Sequence, residues 1–589
     1  MGASARERLK SSWAEGFQRE VLPLLLSSED DFAGMYSEIG RPNYSVGRQL
    51  GICLLQEMNN LSDQAALDAL TFDARWQYAL DVGDSDGYLS RRSLVEFRRR
   101  LVAHDPEMTL MRRVFERLSG KAIETLGLST ASQRLDSTLV VSNIRLAGLL
   151  ELFRVTTRKF LKSLSPPHVA QVPEATRRWH EEAREGWFGL GMSTGQRRDK
   201  LSELLPLVHD LVAMFADVVP VNQSEPYQLL AQLFDEHCRV VPDDDDSGSN
   251  NGSGASGGGS KSGATSPRIV LSHKRGASLQ SPHDPDAEYG HKGVGYKAHI
   301  TETCGNEGQR EIITDYEVHG NARSDVAKTQ DVLERLRAAN CQPQRLFADA
   351  GYSTGEQLVR LAAQGTELFA PVHRGKLSSS TWGRDSFQFD DQGLVVRCPV
   401  GHAPIDHRVQ NPNGEGRHVH AYFDGDICRQ CQHLERCPVR APNHRKRGTP
   451  RRQTKGNFRL DISPALRARD QRFAEQKQRW WRQAYKIRAG VEATMSELKR
   501  AHGMARLRVR RLPQVHFAIV CKVIACNLKR WLQSMRSDTR RPHGTLSHLL
   551  CILSATLDLS RLIGLLHRCP QTVSCQSTTY AIGQHLLSA

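Results

Sequence analysis

The segment YKIRAGVEATMSELK, Tyr485 to Lys499, places four chemically useful side chains at helical spacing. Its Ala, Glu, Met, Leu and Lys content, with no internal proline, favours a helix. At about 100° per residue, with Tyr485 at zero, Arg488 falls near −60°, Glu492 near −20° and Lys499 near −40°. The four share a strip about 60° wide and about 21 Å long. A carboxylate able to hold a divalent cation, two cations able to clamp phosphates and a phenol able to hydrogen-bond or stack suit work on a polyanion. On spacing alone a second reading stays open: an i, i+4 ion pair of Arg488 with Glu492, beside a snorkelling lysine.

Two aspartates extend the first reading. Asp136 lies in QRLDSTLVVSN and Asp349 in RLFADAGYST, each expected at the end of an apolar strand, where a carboxylate is held rigidly at a sheet edge. Taken singly, Asp136 is also a turn residue and Asp349 a residue leading into a helix. Together with the spacing Tyr-x2-Arg-x3-Glu-x6-Lys, they resemble the DDE transposases of bacterial insertion sequences, in the branch that bears this signature. The resemblance implies that Asp136, Asp349 and Glu492 are the catalytic carboxylates, and that Tyr485, Arg488 and Lys499 contact the transposon end. It also implies two Mg²⁺ ions, with Mn²⁺ able to substitute. Such a pair, about 3.5–4 Å apart, serves the attacking and leaving oxygens of an in-line displacement at phosphorus. Neither Ser137 nor Tyr352 is then needed as a nucleophile.

Positioning these groups calls for an α/β architecture. The expected fold is an RNase H-like mixed sheet with helices on both faces, interrupted by a helical insert and a Cys-rich insert, plus an all-helical N-terminal domain. After Asp136, strands are expected at Gly295 to Cys304 and Glu311 to His319, joined by a GNEG turn. A helix from about Asp325 to Ala338 precedes the Asp349 strand; a helix near Gly355–Ala363 and the strand ELFAPV follow it. Asp284 and Asp286, in HDPDAEYG, are auxiliary acids or local Asx-turn residues, the latter favoured. The boundaries expected are 1–125 for a helical DNA-binding domain, 126–148 for the first core strand and 149–242 for the helical insert. A Gly/Ser linker at 243–265, unable to bury apolar surface, precedes the core at 266–375. The Cys-rich insert spans 376–465, the catalytic C-terminal helices 466–535 and a helical tail 536–589.

Composition agrees with a DNA partner. The 589 residues include 80 Lys plus Arg against 65 Asp plus Glu, a formal charge of +15. A field of that sign attracts phosphate backbones. Arg91 and Arg98, in the basic segment LSRRSLVEFRRRLVAHD, are the candidate DNA contacts of the N-terminal domain, whose short helices suit a helix-turn-helix reader. Cys398, Cys428, Cys431 and Cys437, the middle two as Cys-x2-Cys, are candidate ligands of one structural Zn²⁺; four reduced, metal-free thiols are the alternative. No apolar run of about 18 residues and no apolar leader core occur, so a cytoplasmic, nucleoid-associated bacterial protein with no membrane partner is expected. The partners expected are double-stranded DNA, both terminal inverted repeats and target, and a second copy of the chain in a synaptic homodimer. The function implied is metal-dependent strand cleavage and strand transfer. A domesticated, non-catalytic DNA-binding protein and a host nuclease or resolvase are the competing classes, and the first of these should have lost an acid.

Overall fold

The computed structural model describes residues 3–36, 43–83, 88–144, 147–183, 191–241, 268–272, 278–373, 382–411, 417–442 and 450–540. The expected linker at 243–265 and the expected tail beyond Arg540 lie outside them. Met1–Ser534 form one unit and Met535–Ala589 a second, of which only the end of a helix is described.

The chain begins helical. Helices α1 (Val46–Met58), α2 (Asp63–Phe72) and α3 (Arg91–His104) are each led by a serine, Ser45, Ser62 and Ser90, whose hydroxyl accepts a first-turn backbone N–H. The start of α4 (Thr109–Leu126) is held by Asp105, which accepts from the N–H groups of Thr109, Leu110 and Met111 at 2.7, 2.8 and 3.2 Å. Strand β1 (Ser132–Val140) follows and forms the centre of the main sheet. Helices α5 (Leu149–Ser163), α6 (Thr194–Phe215) and α7 (Glu225–His237) then pack around their own apolar cluster, which includes Phe153, Phe160, Leu211 and Phe215. A strand pair not expected from sequence, Cys238–Val241 with Arg268–Leu271, closes this insert.

The chain returns through β2 (Glu288–Gly290), β3 (Gly293–Thr303) and β4 (Ile313–Gly320). Then come α8 (Thr329–Ala338), β5 (Arg345–Phe347), α9 (Gly355–Ala363) and β6 (Glu367–Phe369). The sheet runs β4–β3–β1–β5–β6, with β2 also paired to β3. β1 is antiparallel to β3 and parallel to β5, and β5 is parallel to β6. This mixed sheet with its helices is consistent with an RNase H-like DDE domain.

Two expectations need correction. β1 does not end at Asp136: its pairing with β3 continues from Asp136 opposite Ile300 to Val140 opposite Tyr296, so the acid lies mid-strand. Asp284 and Asp286 do not act through local Asx turns. They reach across the molecule to the start of α13 (Leu512–Arg540), accepting from the N–H groups of Arg511 and Leu512 at 2.7 and 2.8 Å. The carboxylates satisfy two N–H groups that the helix cannot pair itself.

Between β6 and the last helices lies a small antiparallel sheet, β7 (Asp406–Gln410), β8 (His418–Phe423) and β9 (Phe458–Ile462), over a core that includes Phe387, Val419, Phe458 and Leu460. Helices α10 (Pro464–Glu475), α11 (Arg479–Tyr485) and α12 (Gly490–Arg500) follow. Among the described residues no helix is long and apolar enough to cross a membrane.

Candidate functional site

Sheet register brings the two aspartates together. Arg134 of β1 pairs with Phe347 of the parallel strand β5, so two residues further on Asp136 stands beside Asp349. Asp349 leaves the sheet just after β5, and its Oδ1 accepts from the Gly351 N–H at 2.8 Å. A Cβ on Gly351 would sit 2.9 Å from that oxygen, which explains the glycine in Asp-Ala-Gly-Tyr.

Glu492 reaches the same place from α12. Arg488 donates to Asp136 Oδ2 at 2.7 Å and to Glu492 Oε1 at 2.9 Å, so one guanidinium bridges two of the three acids. Burial raises the Asp136 pKa, opposed by Arg488 and by the Ser137 N–H. Glu492 itself is exposed, with 67% of its side chain accessible.

The expected continuous helix from Tyr485 to Lys499 is broken: α11 ends at Tyr485, a 3₁₀ turn covers Lys486–Ala489, and α12 starts at Gly490. The turn winds the chain more tightly than an α-helix, and Tyr485, at the end of α11, packs inward. Its ring stacks on Trp481, which stacks on Phe369, and its hydroxyl donates to the Ala348 carbonyl at 3.0 Å. Tyr485 thus steadies the residue before Asp349, and burial pushes its pKa up to about 12. Burial and neighbouring Lys292 lower the pKa of Lys499, while Asp136 opposes the shift. Lys292 lies in the β2–β3 turn and was missed from sequence, where nothing relates it to Lys499.

A buried ion network docks α12 on the sheet. Arg134 donates to Glu302 Oε1 at 2.7 Å and to the Ile487 carbonyl at 3.0 Å. Glu302 Oε2 accepts from Thr494 of α12 at 2.6 Å and from Arg530 of α13 at 3.1 Å, and Arg530 also grips Glu497. A Cβ at Gly490 would lie 1.9 Å from the Arg134 guanidinium, so the helix approaches this closely only through glycine.

Beneath the aspartates, Tyr352, His299 and His319 form a buried chain. His319 Nδ1 faces the Gly320 carbonyl at 2.6 Å and must donate to it. Its Nε2 therefore accepts from His299 Nε2–H at 2.8 Å, and His299 Nδ1 accepts from the Tyr352 hydroxyl at 2.6 Å. Burial presses the His299 pKa down to about 3.

The remaining candidates divide. Arg91 is exposed on α3, whereas Arg98 is tied within its own domain, donating to Asp63 Oδ1 at 2.8 Å and to Gln56. Cys398, Cys428, Cys431 and Cys437 all line one pocket with His402 and Trp382, although no three of their sulfurs lie within 4.8 Å of one another. Among the described residues, the potential ligand group that does meet that spacing is Glu497, His502 and Cys526, but Arg530 already holds Glu497 at 2.8 Å. At the aspartates the donors are hard oxygens, which fits a magnesium-class ion and not a thiophilic one.

Residues 397–532 match the family model described as "Transposase DDE domain", a span that includes Glu492 and α12. Residues 17–100 match "Transposase domain (DUF772)", which covers α1 to most of α3. Two separate stretches of the chain thus match transposase domain models, which indicates a DDE transposase of an insertion sequence. The matched DDE span begins beyond Asp136 and Asp349, which the sheet register sets side by side and Arg488 links to Glu492 through Asp136. No curated protein and no solved structure matches the chain.

Proposed function

We propose that this chain is a transposase that binds the terminal inverted repeats of an insertion sequence and catalyses metal-dependent DNA strand cleavage and strand transfer. The observation that carries this reading is the meeting of Asp136, Asp349 and Glu492 from three separate elements, two of them linked by Arg488. These acids would hold two Mg²⁺ ions, or Mn²⁺ in their place, which supply an activated nucleophile and charge neutralisation. Arg488, Lys499 and Lys292 offer the phosphate-binding charge around them. Tyr485 keeps the backbone before Asp349 in place, so Asp349 meets the phosphate preorganised. Arg91 and the exposed face of α3 serve end recognition, and a homodimer would synapse two ends in the bacterial cytoplasm, at the nucleoid. The thiols of Cys398, Cys428, Cys431 and Cys437, which line one pocket, would take one structural Zn²⁺.

The decisive experiment uses labelled DNA flanking the gene, purified protein and Mg²⁺ or Mn²⁺. Wild type should nick at the element's boundary, and Asp349→Ala should bind that DNA without nicking it. Tight end binding by wild type with no nick in either metal would favour a non-catalytic DNA-binding protein.

A further inference from the structure

We propose that Arg506, Arg508 and Arg510 form a phosphate track for duplex DNA, separate from the acids and from α3; the inference rests on the transposase reading above. Residues 505–509 run extended alongside the end of β1. Val141 donates its N–H to the Ala505 carbonyl at 3.1 Å and accepts from the Leu507 N–H at 2.8 Å, and the Asn143 N–H reaches the Val509 carbonyl at 3.0 Å. The pairing is parallel, with Arg506 beside Val141. Alternation turns Leu507 inward, 4% exposed, and leaves Arg506, Arg508 and Arg510 exposed. At two residues per step the three side chains leave the backbone about 6.6 Å apart, short enough to meet successive phosphates of one strand. Asp136 lies five residues before Val141, about 16 Å back along β1 and on the other sheet face, so the track holds DNA beyond the reacting phosphate.

The row carries charge without counter-charge. Among the described residues no carboxylate pairs with Arg506 or Arg508. Arg510 donates its Nε–H to the Asn143 carbonyl at 2.6 Å, a neutral partner that fixes the side chain and leaves its charge in place. Arg511, by contrast, is neutralised by Glu225 at 2.6 and 2.9 Å. A solvated surface row would need neither a backbone pinned to the sheet nor three like charges at this spacing, which repel one another. A polyanion removes that repulsion, and the pinned backbone lowers the ordering cost of binding it. The row also leads somewhere. Arg510 lines a cleft of about 750 Å³ between the helical insert and the core, where Arg198 of α6 adds a further cation. Among the described lining residues the one acid, Glu151, is already held by Arg154 at 2.6 and 2.7 Å. The cleft therefore continues the positive track under the insert.

The test is binding of a labelled duplex carrying the element's boundary to the full chain, in EDTA, over a series of salt concentrations. Arg506→Gln, Arg508→Gln and Arg510→Gln combined should weaken binding at least about tenfold and reduce the slope of log K against log salt by about 2.7, at about 0.9 per phosphate contact. Arg508→Gln alone should reduce it by about 0.9. Arg360→Gln, at an exposed arginine of α9, should change neither quantity. Melting temperatures should match wild type throughout. Phosphates whose ethylation blocks wild-type binding beside the boundary should become silent in the triple variant. An unchanged slope or an unchanged ethylation pattern overturns the proposal. So does an equal loss in Arg360→Gln, which would reduce the track to the chain's general charge. Should the triple variant fail to fold, Arg508→Gln decides by its slope. If wild type binds no duplex at any salt, the transposase reading fails and takes the track with it. If wild type binds with a steep slope and the triple variant does the same, only the track falls.

Discussion

Arg488 is the residue on which the site turns. Its guanidinium holds Asp136 and Glu492 at hydrogen-bond distance, so it sets the spacing of two acids. Arg488→Ala should therefore retain some metal-dependent nicking, reduced by about 10²-fold as expected of a misplacement near 1 Å, whereas Glu492→Ala should show none. Nicking of labelled ends by the two variants checks this, and equal losses would count against it. His299 yields a pH prediction. Its folded pKa is about 3 against about 6.5 unfolded, so between these values the unfolded chain binds more protons. Stability should fall as pH drops below 6.5, by about 1.4 kcal/mol per unit from this group. Urea unfolding at pH 7 and pH 5 should show the loss in wild type and a smaller one in His299→Gln. The types and spacing of Asp136, Asp349, Arg488 and Glu492 were legible in the sequence. Lys292 was not, because it reaches the site through a fold contact with no local pattern, and neither was the buried chain of His299 with Tyr352 and His319, which only the fold assembles.

At the scale of elements, α12 owes its place to what it lacks. Gly490 lets it approach Arg134, whose guanidinium is fixed by Glu302 and the Ile487 carbonyl. Gly490→Ala would gain helix propensity of about 1 kcal/mol but must displace a buried cation from its partners, which costs about 3–5 kcal/mol. Net destabilisation and loss of nicking are expected, measurable by thermal melting beside the nicking assay; an unchanged melting temperature would contradict the packing argument. In the Cys-rich insert the core over β7–β9 is small, so metal would contribute to its folding. Purified protein should carry about one zinc per chain by elemental analysis, and Cys428→Ser should lose it and expose the insert to proteolysis. Hairpin β3–β4 was legible from alternation and its turn. The 3₁₀ break at Lys486–Ala489 was not, since the same residues favour an α-helix locally and the contacts that accompany the break, Tyr485 to the Ala348 carbonyl and Arg134 to the Ile487 carbonyl, are made by the fold. The strand pair closing the helical insert was missed for another reason: its two halves are separated by a low-complexity stretch that carries no register.

For the molecule as a whole, the residues proposed for end recognition and those proposed for chemistry share one folded unit, Met1–Ser534. The N-terminal helices join the sheet through Asp315 of β4, which accepts from Arg112 of α4 at 2.9 Å and from Arg335 of α8 at 2.9 and 2.8 Å. The Asp315 side chain is 3% exposed, so water cannot replace either partner. Removing the acid alone leaves two cations facing each other in a dry joint, and loss of one member of such a buried set costs about 3–5 kcal/mol. Asp315→Ala should lower the unfolding midpoint of α1–α4 and of the catalytic sheet together, as one transition. Hydrogen exchange read separately over residues 46–126 and 293–347 measures this. If only the sheet loosens and α1–α4 keep their protection, the two halves fold independently. Coupled loosening would instead mean that binding an inverted repeat at α3 and presenting Asp136 to the scissile phosphate are acts of one rigid body. Arg112→Ala, which leaves the Arg335 pair intact, should then weaken the coupling with a smaller loss of stability, and the difference between the two variants isolates what the joint contributes.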